Sequence, residues 1–543
     1  LHCTELWYAV ADFECKGSKL KRNTSSLLSP KRASPCMESF VDVSFDSDFP
    51  LENLPWGVFE APGQDGPKLH VGVALGQHAV SATALYDAGF LRDLPGVGEN
   101  VFSHGRLNEF MSAGRPAWQA ARSCLQRLLS RGEGALRDCV QLRERVLFRQ
   151  SEVRMQLPAH IGDYTDFYAS RQHATNVGAM FRGRDNALNP NWLHLPVGYH
   201  GRSSSIVPSG VPVRRPWGQV LPAGSSTPVF APSAQVDFEL EVAAVVGPGN
   251  PHGEPIPAPS AWSHVFGLVL LNDWSARDVQ RWEYVPLGPF NGKNWATQIS
   301  PWVVTLEALE PYRCSPPPRQ QGQAGDEPPE LLPYLREELP YTYDIELFVD
   351  ITPAGAAEPH VTSSPSSPAE AAAAASLLGG KGGAGGGGAG GGGGGRCCCV
   401  HPPTTVTRSN LKHLYWTFPQ MLAHHTAGGC PLRPGDLLAS GTISGDTPDS
   451  RGCLLELTCG GKEEVVLMTS APAASGTADG GGGTAAAGGV VRRRYLEDGD
   501  TVTLRGRCGG GGGEEGSGEG MVGRRRGLGF GVCSGTLLPA RAL

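Results

Sequence analysis

Two apolar segments in the middle of the chain constrain its fold more than any other feature. Residues 236–246 read VDFELEVAAVV, so apolar and acidic residues alternate at first and the segment then becomes apolar throughout. Residues 265–271 are also apolar, and the run ends abruptly at Asn272 and Asp273. Alternation that turns into a continuous apolar run predicts β-strands that enter a hydrophobic core.

Short strands dominate the rest of the pattern. Helical periodicity is confined to residues 117–147, which Gly132 and Gly134 divide, to residues 410–425, and to a helix that begins with a capping box of Ser275 and Asp278. We therefore expect a mainly β fold with some α, either rolled or sandwiched. The further strand candidates are 58–59, 69–75, 301–306, 437–440, 453–459, 496–504 and 528–532.

Length and glycine distribution predict the domain organisation. The length of 543 residues favours two domains, which we place at 37–155 and 156–543. Residues 1–36 precede the first methionine and are treated as an extension outside the fold. Glycine accounts for 74 residues and is concentrated in three segments, at 354–405, 475–489 and 509–520. Such segments cannot bury enough apolar surface to order themselves, so we expect three disordered inserts in the second domain.

Charge and cysteine content exclude several classes of function. The formal net charge is −7 and no basic stripe is present, which excludes a nucleic-acid partner. No apolar run approaches the ~18 residues of a membrane span, so we expect no membrane partner. The 14 cysteines show neither paired spacing nor a CxxC motif, and we expect reduced thiols in a cytosolic protein.

One polar segment carries a high density of reactive side chains. Residues 161–176, IGDYTDFYASRQHATN, include Asp166, Tyr168 and His173 and lack the recurring apolar face of an amphipathic helix or strand. Because loops often carry chemistry on rigid supports, this composition indicates part of a functional site.

Four carboxylates are candidates for a metal site. Glu239 and Glu241 are two residues apart on a predicted strand and share one of its faces. Asp273 ends a buried strand, where a carboxylate is costly unless it is paired or binds a metal. Together with Asp166, they would form an all-oxygen cage suited to Ca²⁺ or Mg²⁺. The alternative for the two glutamates is a solvated outer face.

Two further groups of residues are open to simpler interpretations. Arg277, Gln280 and Tyr284 share one face of a predicted helix, and that face could equally be solvated. Lys293 and Thr297 follow a Gly-Pro-Phe turn, where a lysine is usually exposed.

The C-terminal part adds two candidates. Thr442 follows a predicted strand and could bind an anion through its hydroxyl. Glu456 lies between leucines in a predicted strand, so it either has a partner or occupies an edge. Two groups of possible soft-metal ligands lack a second ligand pair at zinc-finger spacing and are not favoured: His424, His425 and Cys430, and residues 397–401.

Four long stretches of sequence closely resemble the fumarylacetoacetate hydrolase family. They are DSDFPLENLPWGVF at 46–59, GDYTDFYASRQHATNVGAMFRGRDNALNPNWLHLPVGYHGR at 162–202, NDWSARDVQRWEYVPLGPF at 272–290, and LRPGDLLASGTISG at 432–445. Both the N-terminal stretch and the later ones match, and this pattern resembles the two-domain, eukaryote-type members of the family. The resemblance covers about residues 37–353 and 406–540 and is interrupted by the glycine-rich segments.

The resemblance implies a small SH3-like barrel followed by a mixed β-sandwich roll, assembled as a homodimer. It also implies roles for individual residues. The implied calcium ligands are Asp166, Glu239, Glu241 and Asp273, and the implied magnesium-associated positions are Asp273, Lys293 and Thr297. The implied catalytic base is His173 with Glu456 as its partner, and the implied oxyanion-stabilising group is Arg277, Gln280 and Lys293. The implied substrate-contacting positions are Tyr168, Arg182, Tyr199, Gln280, Tyr284 and Thr442.

The implied activity is metal-dependent hydrolysis of the C–C bond of fumarylacetoacetate, a small-molecule diketo diacid, without an organic cofactor. Two alternatives are another chemistry of the same superfamily, such as acylpyruvate hydrolysis or decarboxylation, and an inactive scaffold or product of a defective gene. The presence of both His173 and Glu456 favours hydrolysis. The chain departs from the family pattern at Asn294, Trp295 and Ala296, beside Lys293.

Overall fold

A computed structural model describes six parts of the chain. They are residues 38–63, 66–319, 329–354, 401–469, 489–509 and 526–543, and within them Glu38–Leu543 form one compact unit. The extension at 1–36 and most of the three glycine-rich segments lie outside the described residues. The two-domain division near residue 155 stays a prediction.

The two apolar segments form the centre of an eight-stranded sheet. Strands Leu240–Val246 and Val265–Asp273 are antiparallel neighbours, and every residue of both is buried. Seven strands follow one another in space: Gly198–Gly201, Tyr164–Phe167, Leu437–Ala439, Leu240–Val246, Val265–Asp273, Thr297–Ile299 and Ile206–Pro208, and Val304–Thr305 also pairs with Val265–Asp273.

This central sheet is covered on both faces. Leu240, Val242 and Leu270 belong to one hydrophobic cluster with the second sheet, whereas Val245 and Val269 belong to another with the N-terminal part. Successive residues of a strand point to opposite faces, so two covered faces require the uninterrupted apolar runs seen in the sequence. The second sheet has five strands in the order Thr404–Asn410, Glu346–Thr352, Thr501–Cys508, Leu528–Leu538 and Val213–Arg214. The expectation of a mainly β, sandwiched fold with some α is confirmed.

The N-terminal part contains a separate antiparallel sheet. Its five strands lie in the order Leu147–Arg149, His78–Ser81, Lys68–Leu75, Trp56–Ala61 and Arg154–Met155. Helix Arg115–Leu129 packs Trp118 and Leu125 into the same core. The long helical pattern is divided after this helix, near Gly132 and Gly134 as predicted. A second break, which was not predicted, separates Gly134–Arg137 from Val140–Val146, so the pattern forms three helices and not two.

The remaining elements are short. Four two-stranded ribbons pair Trp217–Val220 with Val229–Pro232, Val236–Asp237 with Ser275–Ala276, Arg313–Cys314 with Thr342–Tyr343, and Val465–Met468 with Val490–Arg493. The other α-helices of the described residues are Ala82–Asp87, Asn108–Ser112, Arg171–Arg182, Arg277–Glu283, Leu306–Leu309, Phe418–Thr426 and Leu454–Leu457. Among the described residues, no helix combines the length and the apolar character that a membrane crossing needs.

Three expectations near the site were wrong. The strand at 236–246 is interrupted at Phe238 and Glu239, because the backbone N–H of Glu239 donates to the side chain of Asn272 instead of to a neighbouring strand. Ser275 and Asp278 form no capping box. The Ser275 hydroxyl donates to the backbone carbonyl of Asp273, and Asp278 accepts hydrogen bonds from residues 233 and 234.

The third wrong expectation concerns the segment around Glu456. Residues 453–459 were expected to form a strand, but Leu454–Leu457 form a short helix. The backbone N–H groups of Leu454 and Leu455 donate to the carboxylate of Asp237, at 2.7 and 2.9 Å. A helix N-terminus needs such acceptors, and here the acceptor is 217 residues away in sequence.

Each glycine-rich segment connects two strands that are hydrogen-bonded neighbours. The antiparallel pairs on either side of them are Ile351 with Thr404, Met468 with Val490, and Cys508 with Leu528. Thr404 and Thr405, expected in the first insert, belong to a strand. The chain therefore leaves and re-enters each sheet at adjacent positions, and the strands on either side of each segment pair directly with each other.

We expect deletion of residues 355–400 to leave the fold intact. The flanking strands stay paired, and the entropic cost of closing a loop grows only with the logarithm of its length. A roughly tenfold shorter connection should raise the free energy of unfolding by at most about 2 kcal/mol. Urea unfolding followed by circular dichroism measures the change, and a Gly-Ser segment of the original length is the matched control. If the deletion variant lost cooperative unfolding while the control variant kept it, residues 355–400 would be needed for the fold and the prediction would be wrong.

Candidate active site

His173 lies in the first turn of helix Arg171–Arg182, which begins within the polar segment 161–176 predicted to be functional. The hydroxyl of Ser170 accepts a hydrogen bond from the backbone N–H of His173 and caps the helix. Ser, unlike an apolar residue, can satisfy this otherwise unpaired N–H group. This cap fixes the start of the helix and with it the position of the imidazole. His173 is only 4% exposed.

Glu456 is fully buried and is bonded to His173. Its Oε2 lies 2.6 Å from His173 Nδ1, and the same oxygen accepts from the hydroxyl of Ser444 at 2.8 Å. The other oxygen accepts from the side-chain amide of Asn176 at 2.8 Å, and the Cys453 thiol donates to Oε2 at 3.3 Å. The predicted partnership of His173 and Glu456 is therefore present in the structure as a buried hydrogen-bonded pair.

The environment keeps Glu456 ionised. Burial alone would raise its pKa, but the charge of His173 and the hydrogen bonds from His173, Asn176 and Ser444 outweigh burial and lower the pKa of Glu456 to about 2. An ionised carboxylate on Nδ1 holds the imidazole in one orientation and leaves Nε2 to accept a proton.

The four candidate carboxylates converge. One oxygen from each of Asp166, Glu239, Glu241 and Asp273 lies within 4.8 Å of the others, and all four residues are buried. Asp166, Glu241 and Asp273 come from three strands of the central sheet, and Glu239 comes from the break that precedes the strand of Glu241. The sheet therefore assembles the cluster from residues that are far apart in sequence.

Two cations partly balance the cluster. Lys293 Nζ donates to Asp273 Oδ2 at 2.7 Å and also contacts Glu239 Oε2. Arg277 donates to Glu239 Oε1 at 2.7 Å and to Asp237 Oδ2 at 2.8 Å. Lys293 thus contacts the carboxylates as a hydrogen-bond donor, whereas the groups around it are oxygen acceptors.

The pKa values of the carboxylates differ because Lys293 and Arg277 contact some of them and not others. Burial, followed by the charges of Asp166 and Glu239, raises the pKa of Glu241 well above its usual range. Burial and then the charge of Asp273 raise the pKa of Asp166 in the same way. Burial acts on Glu239 too, but Lys293 and Arg277 outweigh it and lower its pKa to about 2. Asp166 and Glu241 are therefore the two carboxyls that lack adequate positive charge.

The donor set fits a hard divalent cation. Asp166 Oδ1 and both carboxylate oxygens of Glu241 are buried without a hydrogen-bond partner among the described residues. Unpaired buried carboxylate oxygens are costly, and a cation with oxygen ligands at about 2.4 Å can bridge a group of this span. Thr297 supports the cluster from behind, since its hydroxyl donates to Asp273 Oδ1 at 3.0 Å from the paired strand position.

Three predicted substrate-contacting residues lie inside this site. The Tyr168 ring meets the His173 ring edge-on at 5.3 Å between centroids. The Tyr199 hydroxyl donates to Asp273 Oδ2 at 3.1 Å, because Tyr199 is the cross-strand partner of Asp166. The Thr442 hydroxyl is buried and has no hydrogen-bond partner among the described residues.

The other predicted contacts are placed differently. Gln280 accepts from Arg277 at 3.3 Å, as expected for two residues on one helix face. Tyr284 caps the end of the same helix and is 41% exposed. Arg182 is exposed at the end of the His173 helix and donates to the backbone carbonyls of Asn186 and Ala187. Arg182 and Tyr284 therefore lie at the periphery, and among the described residues no hydrogen bond joins either to the dyad or the carboxylates.

Sequence reasoning missed four supporting residues. Asn176 lies one turn after His173 on the same helix face, and Ser444 lies two residues after Thr442, so both spacings were visible. Asp237 precedes Glu239 by two residues, yet its partners, Arg277 and the Leu454 N-terminus, could not be read from the sequence. Cys453 had no signal beyond its position beside LLEL.

The disfavoured soft-metal groups gain no support from the structure. His425 Nε2 is 2.8 Å from the Thr165 hydroxyl, and His424 Nδ1 is 3.0 Å from the Tyr334 hydroxyl. Among the described residues, two groups have ligand atoms close enough to hold a metal ion: the four carboxylates, and the set of His173, Cys453 and Glu456. His424, His425 and Cys430 belong to neither group. Residues 397–400 lie outside the described part of the chain.

The fold and the site together bring a buried His-Glu pair into the same sheet region as an acidic cluster, an arrangement typical of an enzyme active site. Comparison with known proteins places the chain more narrowly. A family model described as "Fumarylacetoacetate (FAA) hydrolase C-terminal" matches residues 163–519, and one described as "Fumarylacetoacetase N-terminal" matches residues 52–158. The chain therefore belongs to the fumarylacetoacetate hydrolase family, and the resemblance seen in its sequence is confirmed.

Curated relatives match along almost their whole length. The fumarylacetoacetase of Bos taurus is 45% identical to the chain, and the alignment covers 92% of this chain and 99% of the relative. That of Arabidopsis thaliana is 45% identical, with 93% and 99% covered. That of Homo sapiens is 43% identical, with 92% and 99% covered.

We expect Glu241→Gln to stabilise the metal-free protein at high pH. A raised folded-state pKa means that the folded chain holds a proton that the unfolded chain has lost, so stability is full below the unfolded pKa and declines as pH rises. Each unit of such a shift costs about 1.4 kcal/mol, so the variant should gain at least about 1 kcal/mol at pH 8 and less at pH 5.

Urea unfolding of chelator-treated protein at the two pH values measures this gain. Glu254→Gln, at an exposed site, is the matched control and should change stability by less than about 0.5 kcal/mol. A Glu241→Gln variant that is less stable than the parent at pH 8 would show that Glu241 is paired by another group.

Proposed function

We propose that this chain hydrolyses a C–C bond of 4-fumarylacetoacetate to give fumarate and acetoacetate, the last step of tyrosine and phenylalanine catabolism. The observation that carries the proposal is the buried His173–Glu456 pair next to four converging carboxylates. The near full-length similarity to proteins named fumarylacetoacetase supports the choice of substrate.

His173 acts as the general base in this proposal. Its Nε2 takes a proton from water, and the resulting hydroxide oxygen bonds to the carbonyl carbon of the fumaroyl group, which is joined to the acetoacetyl methylene carbon. The C–C bond then breaks, its electron pair leaves with the acetoacetyl carbon, and the proton held by His173 returns to that carbon. Glu456 stabilises the imidazolium throughout, as its position 2.6 Å from Nδ1 allows. Decarboxylation would not require this activated water, so the dyad favours hydrolysis.

Arg277, Gln280 and Lys293 are proposed to stabilise the oxyanion of the tetrahedral intermediate. Arg277 Nη2 is a buried donor without a partner among the described residues, while its other nitrogens are held by Asp237 and Glu239. A preorganised donor of this kind typically contributes about 100- to 1,000-fold in rate. Lys293 is fixed by two carboxylates, so its charge is available without reorganisation.

Asp166, Glu239, Glu241 and Asp273 are proposed to hold the metal ion, with Ca²⁺ in the cage and Mg²⁺ associated with the Asp273 side. Thr297 and Lys293 orient Asp273 there. When bound, the ion would supply a Lewis acid that polarises the diketone oxygens and withdraws charge from the leaving group.

The substrate contacts proposed are Tyr168, Tyr199 and Thr442 within the site and Arg182 and Tyr284 at its periphery. Thr442 offers an unpartnered buried hydroxyl, and Tyr168 flanks the base. Arg182 would have to exchange its contacts with backbone carbonyls for a terminal carboxylate of the substrate, which a guanidinium binds in a bidentate manner.

We expect His173→Ala to lower kcat by about 100- to 10,000-fold, because the proton transfer is lost. The melting temperature should fall, because buried Glu456 loses its charge partner, but Glu456 keeps its bonds from Ser444 and Asn176 and the protein should still fold cooperatively. Loss of the diketone absorbance of fumarylacetoacetate measures the rate. His252→Ala, at an exposed histidine, is the control and should retain full activity. A His173→Ala protein that keeps most of its rate would exclude His173 as the base, and no turnover by the parent chain would exclude the proposed reaction.

We expect activity to disappear after chelation and to return with Ca²⁺ or Mg²⁺, since Asp166 and Glu241 need a cation to balance their charge. Isothermal calorimetry should show that Glu239→Ala loses divalent-ion binding, whereas the exposed-site control Glu254→Ala binds like the parent. Unchanged affinity in Glu239→Ala would mean that the ion binds elsewhere.

A homodimer in the cytosol completes the proposal. The segment after helix Arg277–Glu283 exposes Val285, Leu287 and Phe290 at 67%, 95% and 64%, and a second copy of the chain would cover such an apolar surface. All eight cysteines within the described residues are free thiols, as a reducing compartment favours. Sedimentation equilibrium tests the dimer, and a mass of one chain would exclude it.

A further inference from the structure

A buried thiol adjoins the catalytic pair and has no part in the proposed hydrolysis. Cys453 is 0% exposed, and its Sγ lies 3.3 Å from Glu456 Oε2. A ring nitrogen of His173, a carboxylate oxygen of Glu456 and this sulfur all lie within 4.8 Å of one another. One nitrogen, one oxygen and one sulfur therefore lie close together. The proposed hydrolysis uses the nitrogen of His173 and the oxygen of Glu456 but not the sulfur of Cys453.

We propose that His173, Cys453 and Glu456 form a second metal site that takes a thiophilic ion of the Zn²⁺ or Cd²⁺ type, and that an ion bound there inhibits the enzyme. The inhibition rests on the proposed function, whereas the binding does not. Zn²⁺ is commonly bound by thiolate, imidazole and carboxylate, with a fourth position open to water. The all-oxygen cluster selects hard cations instead, so the two neighbouring sites differ in metal preference.

The three ligands are already held close to the required separation. In a tetrahedral zinc site, sulfur and oxygen ligands lie about 3.5 Å apart, near the 3.3 Å observed between Cys453 and Glu456. The nitrogen and oxygen ligands lie about 3.3 Å apart in such a site, so the 2.6 Å pair of His173 and Glu456 would have to open slightly.

The surroundings support each ligand from behind. Ser444 and Asn176 donate to Glu456, and these bonds can persist when its oxygen turns towards an ion. Asp237 fixes the helix that follows Cys453 by accepting from two of its backbone N–H groups. Partners of this kind orient metal ligands, and losing one typically costs 10- to 100-fold in affinity.

Charge balance favours the bound state. Cys453 and Glu456 are both fully buried, and the thiol donates a hydrogen bond to Glu456 Oε2 when no ion is present. Binding releases the thiol proton to solvent, and thiolate, carboxylate and divalent ion then sum to zero charge in a buried site.

Inhibition follows from the shared ligands. The nitrogen that lies beside Glu456 is Nδ1, so an ion bound there would replace the hydrogen bond that orients the ring towards Glu456. Without that bond the imidazole loses the carboxylate that stabilises its protonated form, and the base is withdrawn from catalysis.

The test is a titration of the full chain, saturated with Ca²⁺ and Mg²⁺, with ZnCl₂ and separately with CdCl₂. Activity is followed with the diketone substrate, and Cd²⁺ binding is followed independently by the ultraviolet cadmium–thiolate charge-transfer absorbance. Cys453→Ser keeps a hydroxyl donor near Glu456 and removes only the sulfur. Each variant's inhibition is normalised to its own uninhibited rate, and Cys533→Ser, at another fully buried cysteine, is the matched control.

We expect half-inhibition of Cys453→Ser to require at least about tenfold more Zn²⁺ than the parent, as loss of a ligand should cost no less than loss of a supporting contact. Its charge-transfer absorbance should fall by one site, whereas Cys533→Ser should match the parent in both. Equal inhibition and equal absorbance in Cys453→Ser and the parent would overturn the site.

Two further outcomes of the titration also have a defined interpretation. If the serine variant does not fold, Cys453→Ala is judged by the same two readouts. If the parent has no turnover, the hydrolase proposal fails, but the absorbance titration still decides whether Cys453 binds a soft metal.

Discussion

One buried carboxylate, Asp237, connects the two halves of the candidate site. It accepts two backbone N–H groups at the start of the helix that carries Glu456, and it binds Arg277, which in turn holds Glu239 of the acidic cluster. Removing one member of a buried charged pair typically costs about 3–5 kcal/mol, because its partner is left uncompensated. The geometry of the His173–Glu456 pair and that of the acidic cluster thus depend on the same residue.

The central sheet explains why carboxylates can be gathered at all. Its middle strands are buried on both faces by two hydrophobic clusters, which fix the ends of Leu240–Val246 and Val265–Asp273 in a rigid frame. At those ends Lys293 and Arg277 offset part of the negative charge, and Glu241 and Asp166 keep an excess that a cation relieves. The glycine-rich segments do not disturb this frame, since each connects strands that are already paired.

Much of the site could be anticipated, and the errors have two causes. Residue type and position indicated His173, the clustered carboxylates and the need of Glu456 for some partner, because a buried charge must have one. The pairing of Glu456 with His173 was implied only by the resemblance to the family. The supporting groups Asn176, Ser444 and Cys453 were not identified, and Glu456 was expected on a strand although it lies on a helix. The deciding contacts of Asn176 and of the helix of Glu456 join segments distant in sequence, with 280 residues between Asn176 and Glu456 and 217 between Asp237 and Leu454. Ser444 and Cys453 lie only 12 and 3 residues from Glu456, and nothing in their residue type alone marked them.

The sequence by itself determined the mainly β fold, the apolar strands of the core, the family and the residue types available for chemistry. Those properties follow from local pattern, since burial on two faces requires continuous apolar runs. Only the tertiary structure decided that Asp237 caps a helix 217 residues away, that Lys293 meets the acidic cluster as a donor, and that Glu456 is bonded to His173 across 283 residues. Hydrogen bonds act over about 3 Å in space, and those between segments distant in sequence leave no trace in local spacing, so they exist only once the sheets have packed.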